Sequence, residues 1–328
     1  MAFRATRIMN QSLRLRPAFE LALRSSCLQL VLARWGLETA ALMGLHGEQT
    51  ANDDDRKVRA VEAITSALYE SGLDNHATSA EKTMLDKPYR SWEYSDYVYG
   101  DHWESLGVLQ WLLGRQHTIP AYYSNFDRAR LFQNSGILPA NPSTIEKFVD
   151  SFMSSQIHQS FDQQQLQHAV DESEAWMWRA RAQVLLGLRD EIAKADQKSG
   201  QDTPLEATLQ ARHIPHSLRK MAADLPKTIP LAAQQAFDKG ILAELEGGDF
   251  AIAVEMKEDG GPSGQRKTAN VPYPNLDSDH LDALRKIAES RFLAFAWALG
   301  KIDAWDVEKT SELVSINPIN AIWTPDRS

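Results

Sequence analysis

Asp279-His280-Leu281-Asp282-Ala283-Leu284-Arg285-Lys286-Ile287-Ala288-Glu289-Ser290-Arg291-Phe292-Leu293-Ala294-Phe295-Ala296-Trp297-Ala298-Leu299 is the stretch that decides the fold class. Leu284, Ile287, Ala288, Phe295 and Ala298 recur at three and four residues, the spacing that gathers side chains along one side of an α-helix. Arg291 falls inside that stripe, so its guanidinium is expected to point into a core. A buried cation is tolerated only when paired, and the expected partner is a carboxylate from another helix.

Working outward, the same period governs most of the chain. Helices are expected at 18–45, 57–71, 102–114, 126–133, 163–195, 216–224, 230–241 and 279–299. Asn52-Asp53-Asp54-Asp55 supplies an acidic start for the second and Gly72 closes it. Thr78 to Glu81, Ser143 to Glu146 and Thr203 to Glu206 have capping-box spacing. The 163–195 helix is apolar on nearly every side through Trp176, Met177, Trp178, Ala180, Val184, Leu185 and Leu186, which reads as a central helix. Only 249–256, which alternates, and the proline-bearing Val271-Pro272-Tyr273-Pro274 read as extended, and 257–270 between them reads as a surface loop. The expected class is all-α: an irregular multi-helix bundle with a small extended excursion near 249–275. A basic N-terminal region (1–49) precedes a helical domain (50–312) and a C-terminal tail (313–328).

The 328 residues carry 35 Lys and Arg against 44 Asp and Glu, a net charge of −9. Six arginines and a single acid, Glu20, fall within the first 36 residues, so the remainder is strongly acidic. Such a body repels nucleic-acid phosphates, and no basic stripe offsets it. The arginine-rich start has the composition of a mitochondrial transit peptide, but it reads equally as a first helix with a basic face, Phe19, Leu23, Leu30 and Leu37 forming the apolar one. A mitochondrial or a cytoplasmic address follows, not a secreted one. Cys27 is the only cysteine, so no internal disulfide can form; in its apolar run it reads as an inert packed thiol. No apolar run approaches the roughly 20 residues a spanning helix needs.

Several ordered motifs carry a resemblance. Glu104-Ser105-Leu106-Gly107-Val108-Leu109-Gln110-Trp111-Leu112-Leu113-Gly114, then Ile287-Ala288-Glu289-Ser290-Arg291 running to Trp297, then Trp305-Asp306-Val307, resemble the family known as domain of unknown function 4272. Ser79-Ala80-Glu81 looks like its earlier cap and Glu246-Gly247-Gly248-Asp249-Phe250 like its Gly-Asp-Phe turn. The likeness spans roughly 56–310. Asp101-His102 stands where the family has Trp-Arg, and Phe292 where it has His, so a role needing that His would be lost. The resemblance implies a fold and common descent, and no activity.

Charged residues in apolar surroundings are the remaining signal. Glu104 precedes Val108 and Trp111 on its helix and faces the core; Glu174, Arg179 and Arg181 flank Trp178 on the 163–195 helix; Glu289 and Asp306 complete a candidate polar network with Arg291. One reading makes these structural ion pairs that fix helix register, in a protein with a structural or interaction role. The other makes them a pocket in which Glu104 is a general acid or base and Arg291 or Arg179 holds an anionic metabolite between tryptophan walls. Enzymatic activity is left open. No nucleotide-phosphate cradle and no Gly-x-Ser-x-Gly occurs, and the histidines lack ligand spacing, so no cofactor and no metal is expected. Trp92, Tyr94, Tyr97 and Tyr99 mark an aromatic segment suited to a protein partner.

Overall fold

A computed structural model describes residues 13–44, 51–153, 162–199, 216–257 and 266–306, with 309, 310 and 313. These fall into two compact units, Leu13–Asp162 with Ser290–Val307, and Gln163–Glu289. The first helix belongs to the same unit as residues 51–153.

In the first unit, helix α1 (Ala18–Leu42) is central. It starts behind Pro17 and stops before Gly44, whose φ of 61° suits glycine. Between residues 21 and 32 every side chain except Leu23 is buried, so packing runs right round the helix there, and of the narrow stripe through Phe19, Leu23, Leu30 and Leu37 only Leu30 is fully buried. Around it lie α2 (Ala51–Glu70), α3 (Ser79–Leu85), a 3-10 segment (Tyr94–Asp101), α4 (His102–Leu112) and α6 (Pro142–Asp150), with α5 (Arg128–Ser135) against α4. The caps follow sequence chemistry: Thr78 and Glu81 form the expected box, and Asp127 caps α5. For α6 the cap is Asn141 with Pro142 at the first helical position, so the helix opens ahead of the Ser143 to Glu146 spacing.

In the second unit α7 (Gln163–Ser199) packs on α8 (His216–Asp238) and on a three-stranded antiparallel sheet, β1 (Leu245–Glu246), β2 (Asp249–Lys257) and β3 (Arg266–Pro272) in that order. Gly247 and Gly248, with φ of 59° and 79°, make the two-residue turn between β1 and β2. β3 pairs with β2 from Ala251 opposite Pro272 to Lys257 opposite Arg266, so residues 257 and 266–270 of the expected 257–270 loop are strand, and 258–265 lie outside the described residues. The 224–230 break is also absent: Pro226 and Pro230 sit inside one continuous α8, both on its exposed side, where the hydrogen bonds they forgo cost least. Buried aromatic rings of Trp176, Trp178, Phe250 and Tyr273 fill the core. α7 is enclosed only over its middle turns, since Val184 and Leu188 are exposed. The Thr203 to Glu206 cap lies outside the described residues. Helix α9 (Ser278–Ala298) contributes 278–289 to this unit and 290–298 to the first.

The class is thus a mostly helical bundle with one small antiparallel excursion, as the periodicity predicts.

Candidate functional site

Arg291 and Glu104 meet in the first unit. The α4 and α9 backbones approach closely there because Ser105 and Ser290 face each other, Ser105 Oγ donating to the Ser290 carbonyl at 2.6 Å and Ser290 Oγ to that of Asp101 at 2.7 Å. Small residues at a crossing bring the next side chains into reach. Arg291 Nε and Nη2 lie 2.9 and 2.8 Å from Glu104 Oε2, while Nη1 donates to the Pro120 carbonyl at 2.6 Å and Nη2 to that of Ser124 at 2.8 Å. Glu104 Oε1 accepts the Phe126 backbone N–H at 3.1 Å. The guanidinium also stacks on Tyr122 and Phe126. At 0% and 4% exposure the pair is sealed, and every nitrogen of the guanidinium is in use.

The remaining candidates lie elsewhere. Glu174 and Trp178 are buried in the second unit, as is Arg179, whose Nε and Nη2 each lie 2.8 Å from an oxygen of Asp249. Arg179 also stacks on Tyr273 at 4.1 Å. Desolvation holds the half-buried Arg181 below its ordinary range, with Glu289 acting against it; Glu289 itself also pairs with Arg285. Asp306 belongs to the first unit, beside Trp305.

Two further buried pairs escaped the sequence reading because they lie in or against α1, whose arginines read as a basic surface. Arg34 binds Glu38 through Nε and Nη2 and reaches the carbonyls of Leu85 and Pro88, while both Glu38 oxygens accept the Arg90 backbone N–H. Arg90 has a φ of 64°, a conformation that side chains other than glycine rarely adopt. Arg24 pairs with Glu81 and reaches the His76 carbonyl, and Glu81 accepts the Thr78 N–H. A usable signal was present: Arg24 and Arg34 flank the most apolar run of the chain.

The open site is next to Arg24, not at Glu104. A cleft of about 950 Å³ in the first unit is walled by the start of α1 (Arg16, Phe19, Glu20, Leu23, Arg24), residues 75–81, Val98, Tyr99 and His102, then Trp297 and residues 303–306. Of the sequence-predicted site residues only Asp306 lines it. Arg16 donates to the carbonyls of Trp297 and Ile302 at 2.7 and 3.0 Å and pairs with Glu20 at 3.4 Å. Arg16 and Arg24 stack on Trp297 and Trp305, 4.8 and 4.5 Å from the ring centroids, and the two indoles meet edge to face. Desolvation pushes the His102 imidazole down to about 4, Glu81 opposing and Arg24 adding, so the ring is neutral; desolvation and the Glu81 charge raise the Tyr99 phenol to about 12. Three enclosed atoms on this wall, His102 Nδ1, Arg24 Nε and Trp305 Nε1, have no hydrogen-bond partner among the described residues.

The aromatic segment divides. Trp92 is buried, edge to face with Tyr97 and under Arg34, and Tyr99 lines the cleft, while Tyr94 (93%) and Val98 (57%) are exposed. Among the described residues no three of His, Cys, Asp and Glu come together as metal ligands. The Asp277 to Asp282 acids are the start of α9, where Asp277 accepts the His280 N–H at 2.8 Å. No helix among the described residues is long and apolar enough to cross a membrane. No family model, no curated protein and no solved structure matches the chain.

Proposed function

We propose that the buried charges serve the fold and that the protein acts in a structural or interaction role, without Glu104 or Arg291 as catalytic groups. The observation that carries this is the saturation of Arg291: one carboxylate and two main-chain carbonyls take all of its nitrogens, leaving none for a substrate. A double-mutant cycle of Arg291→Met and Glu104→Gln, read by denaturant unfolding, tests it. Each single change is expected to cost about 3 kcal/mol or more, with strong non-additivity. Unchanged or increased stability would remove the reading.

A second reading, favoured by the cleft, is small-molecule binding. Its volume is within the range of ligand pockets, and tryptophan, glutamate and arginine line it. A ligand would raise the thermal midpoint in proportion to its affinity. Exposure of Tyr94 and Val98 supports the partner surface at the aromatic segment. The motif likeness to domain of unknown function 4272 supports common descent with that family and brings no chemistry. For the cell address, the arginines at positions 4, 7 and 14 support mitochondrial import; Arg16, Arg24 and Arg34, being bound within the fold, are equally at home in a cytoplasmic protein.

A further inference from the structure

The charge of the cleft wall selects its ligand. Four carboxylates, Glu20, Glu81, Asp303 and Asp306, face two guanidinium groups. Both guanidiniums are already committed, Arg16 to Glu20 and two main-chain carbonyls, Arg24 to Glu81 and the His76 carbonyl, and each lies against an indole. With Glu20 and Glu81 offset by Arg16 and Arg24, Asp303 still leaves the wall net negative toward an entering anion, and the unpartnered Arg24 Nε and Trp305 Nε1 are enclosed within the wall rather than open to the cleft. Asp303, by contrast, is exposed and has no ion-pair partner among the described residues. Phe19, Leu23, Val98 and Tyr99 add apolar and aromatic surface to the lining. A concave surface with an acidic rim and an aromatic wall attracts cations, both by its summed field and through ring faces.

We propose that this cleft binds a small organic cation, an ammonium group on an apolar or aromatic body, with Asp303 as its charge partner. The proposal rests on the second reading above, that the cleft is a ligand site, and it replaces the anionic metabolite named in the alternative pocket reading of the sequence.

The test is calorimetric titration of the full chain with benzyltrimethylammonium and with benzoate, two probes that share a ring and differ in charge. Saturable binding of the ammonium compound alone is expected. Asp303→Asn should weaken it roughly twofold to fivefold, the worth of one exposed charge pair. Val98→Lys, a change at an exposed rim position, should abolish it while circular dichroism shows the fold intact. Binding of benzoate but not of the ammonium compound overturns the cation proposal and leaves the cleft a ligand site. Binding of neither overturns both. Ammonium binding that both variants leave unaltered lies elsewhere and overturns the proposal as well.

Discussion

Arg24, Arg34, Arg179 and Arg291 are almost wholly removed from water, each held by a carboxylate, and each carboxylate also takes a backbone N–H: Glu81 from Thr78, Glu38 from Arg90, Asp249 from Phe250, Glu104 from Phe126. Such a pair engages the guanidinium nitrogens, Arg24 Nε excepted, and the carboxylate together, which is why it survives desolvation. The same enclosure governs the single thiol. Cys27 is buried against the Leu73 carbonyl, and burial pushes it up to about 12, so almost no thiolate exists at neutral pH. A chromogenic disulfide reagent should leave the native protein unlabelled and react only as denaturant unfolds it; prompt labelling in buffer would show that the site opens locally. Of these residues Arg291, Glu104 and Arg179 were legible in the sequence, because each interrupts an apolar run on its helix. Arg24 and Arg34 were not, because helix α1 is enclosed on all sides over its middle turns and an amphipathic stripe is the wrong template for such a helix.

At the scale of elements, the α4 to α5 connection shows how local sequence and packing meet. Phe126 is held by its N–H to Glu104 and by its ring beneath Arg291, and it rests directly on Gly107 of α4. A methyl at Gly107 would stand 2.2 to 2.4 Å from that ring. In an open helix, alanine for glycine stabilises by up to about 1 kcal/mol; here Gly107→Ala should destabilise by about 1–3 kcal/mol, as overpacking does. Urea unfolding checks the sign, and a gain in stability would mean the ring can move aside. Most elements were legible from period and caps, since α2, α4, α7 and α9 each begin and end within a few residues of the expected places or extend them. The failures have physical causes. Pro226 and Pro230 read as a break but occupy a solvent-facing side where a helix can forgo bonds, and Arg266 to Asn270 look polar and loop-like yet find a partner in β2, whose own alternation was visible. A cleft is invisible to both signals, because it is formed by residues from five separate segments.

For the molecule as a whole, pH resistance is expected to fail in two stages. His102 is lowered to about 4 in the fold against an ordinary 6.5, so the neutral ring contributes stability that is complete above about pH 6.5 and is lost as pH falls from there toward 4. The loss amounts to about 3 kcal/mol at most. Glu81 follows: burial opposes its charge, yet Arg24 and the Thr78 N–H hold it below the usual carboxylate range, so its contribution is present above about pH 4.3 and lost below. Denaturant midpoints of the wild type and His102→Gln should converge between pH 6.5 and 4. A constant gap would mean that the ring is not desolvated.

The arginine clamps have a further consequence. Arg291 grips the carbonyls of Pro120 and Ser124, and Arg34 those of Leu85 and Pro88, which are main-chain atoms that every amino acid carries. The grip on those four carbonyls is thus indifferent to which side chains the gripped residues carry. Exposed positions of these connections, such as Tyr123, are free to drift, while the burden of heredity falls on the arginines and acids seated in helices and on the rings of Tyr122 and Phe126 that bear Arg291.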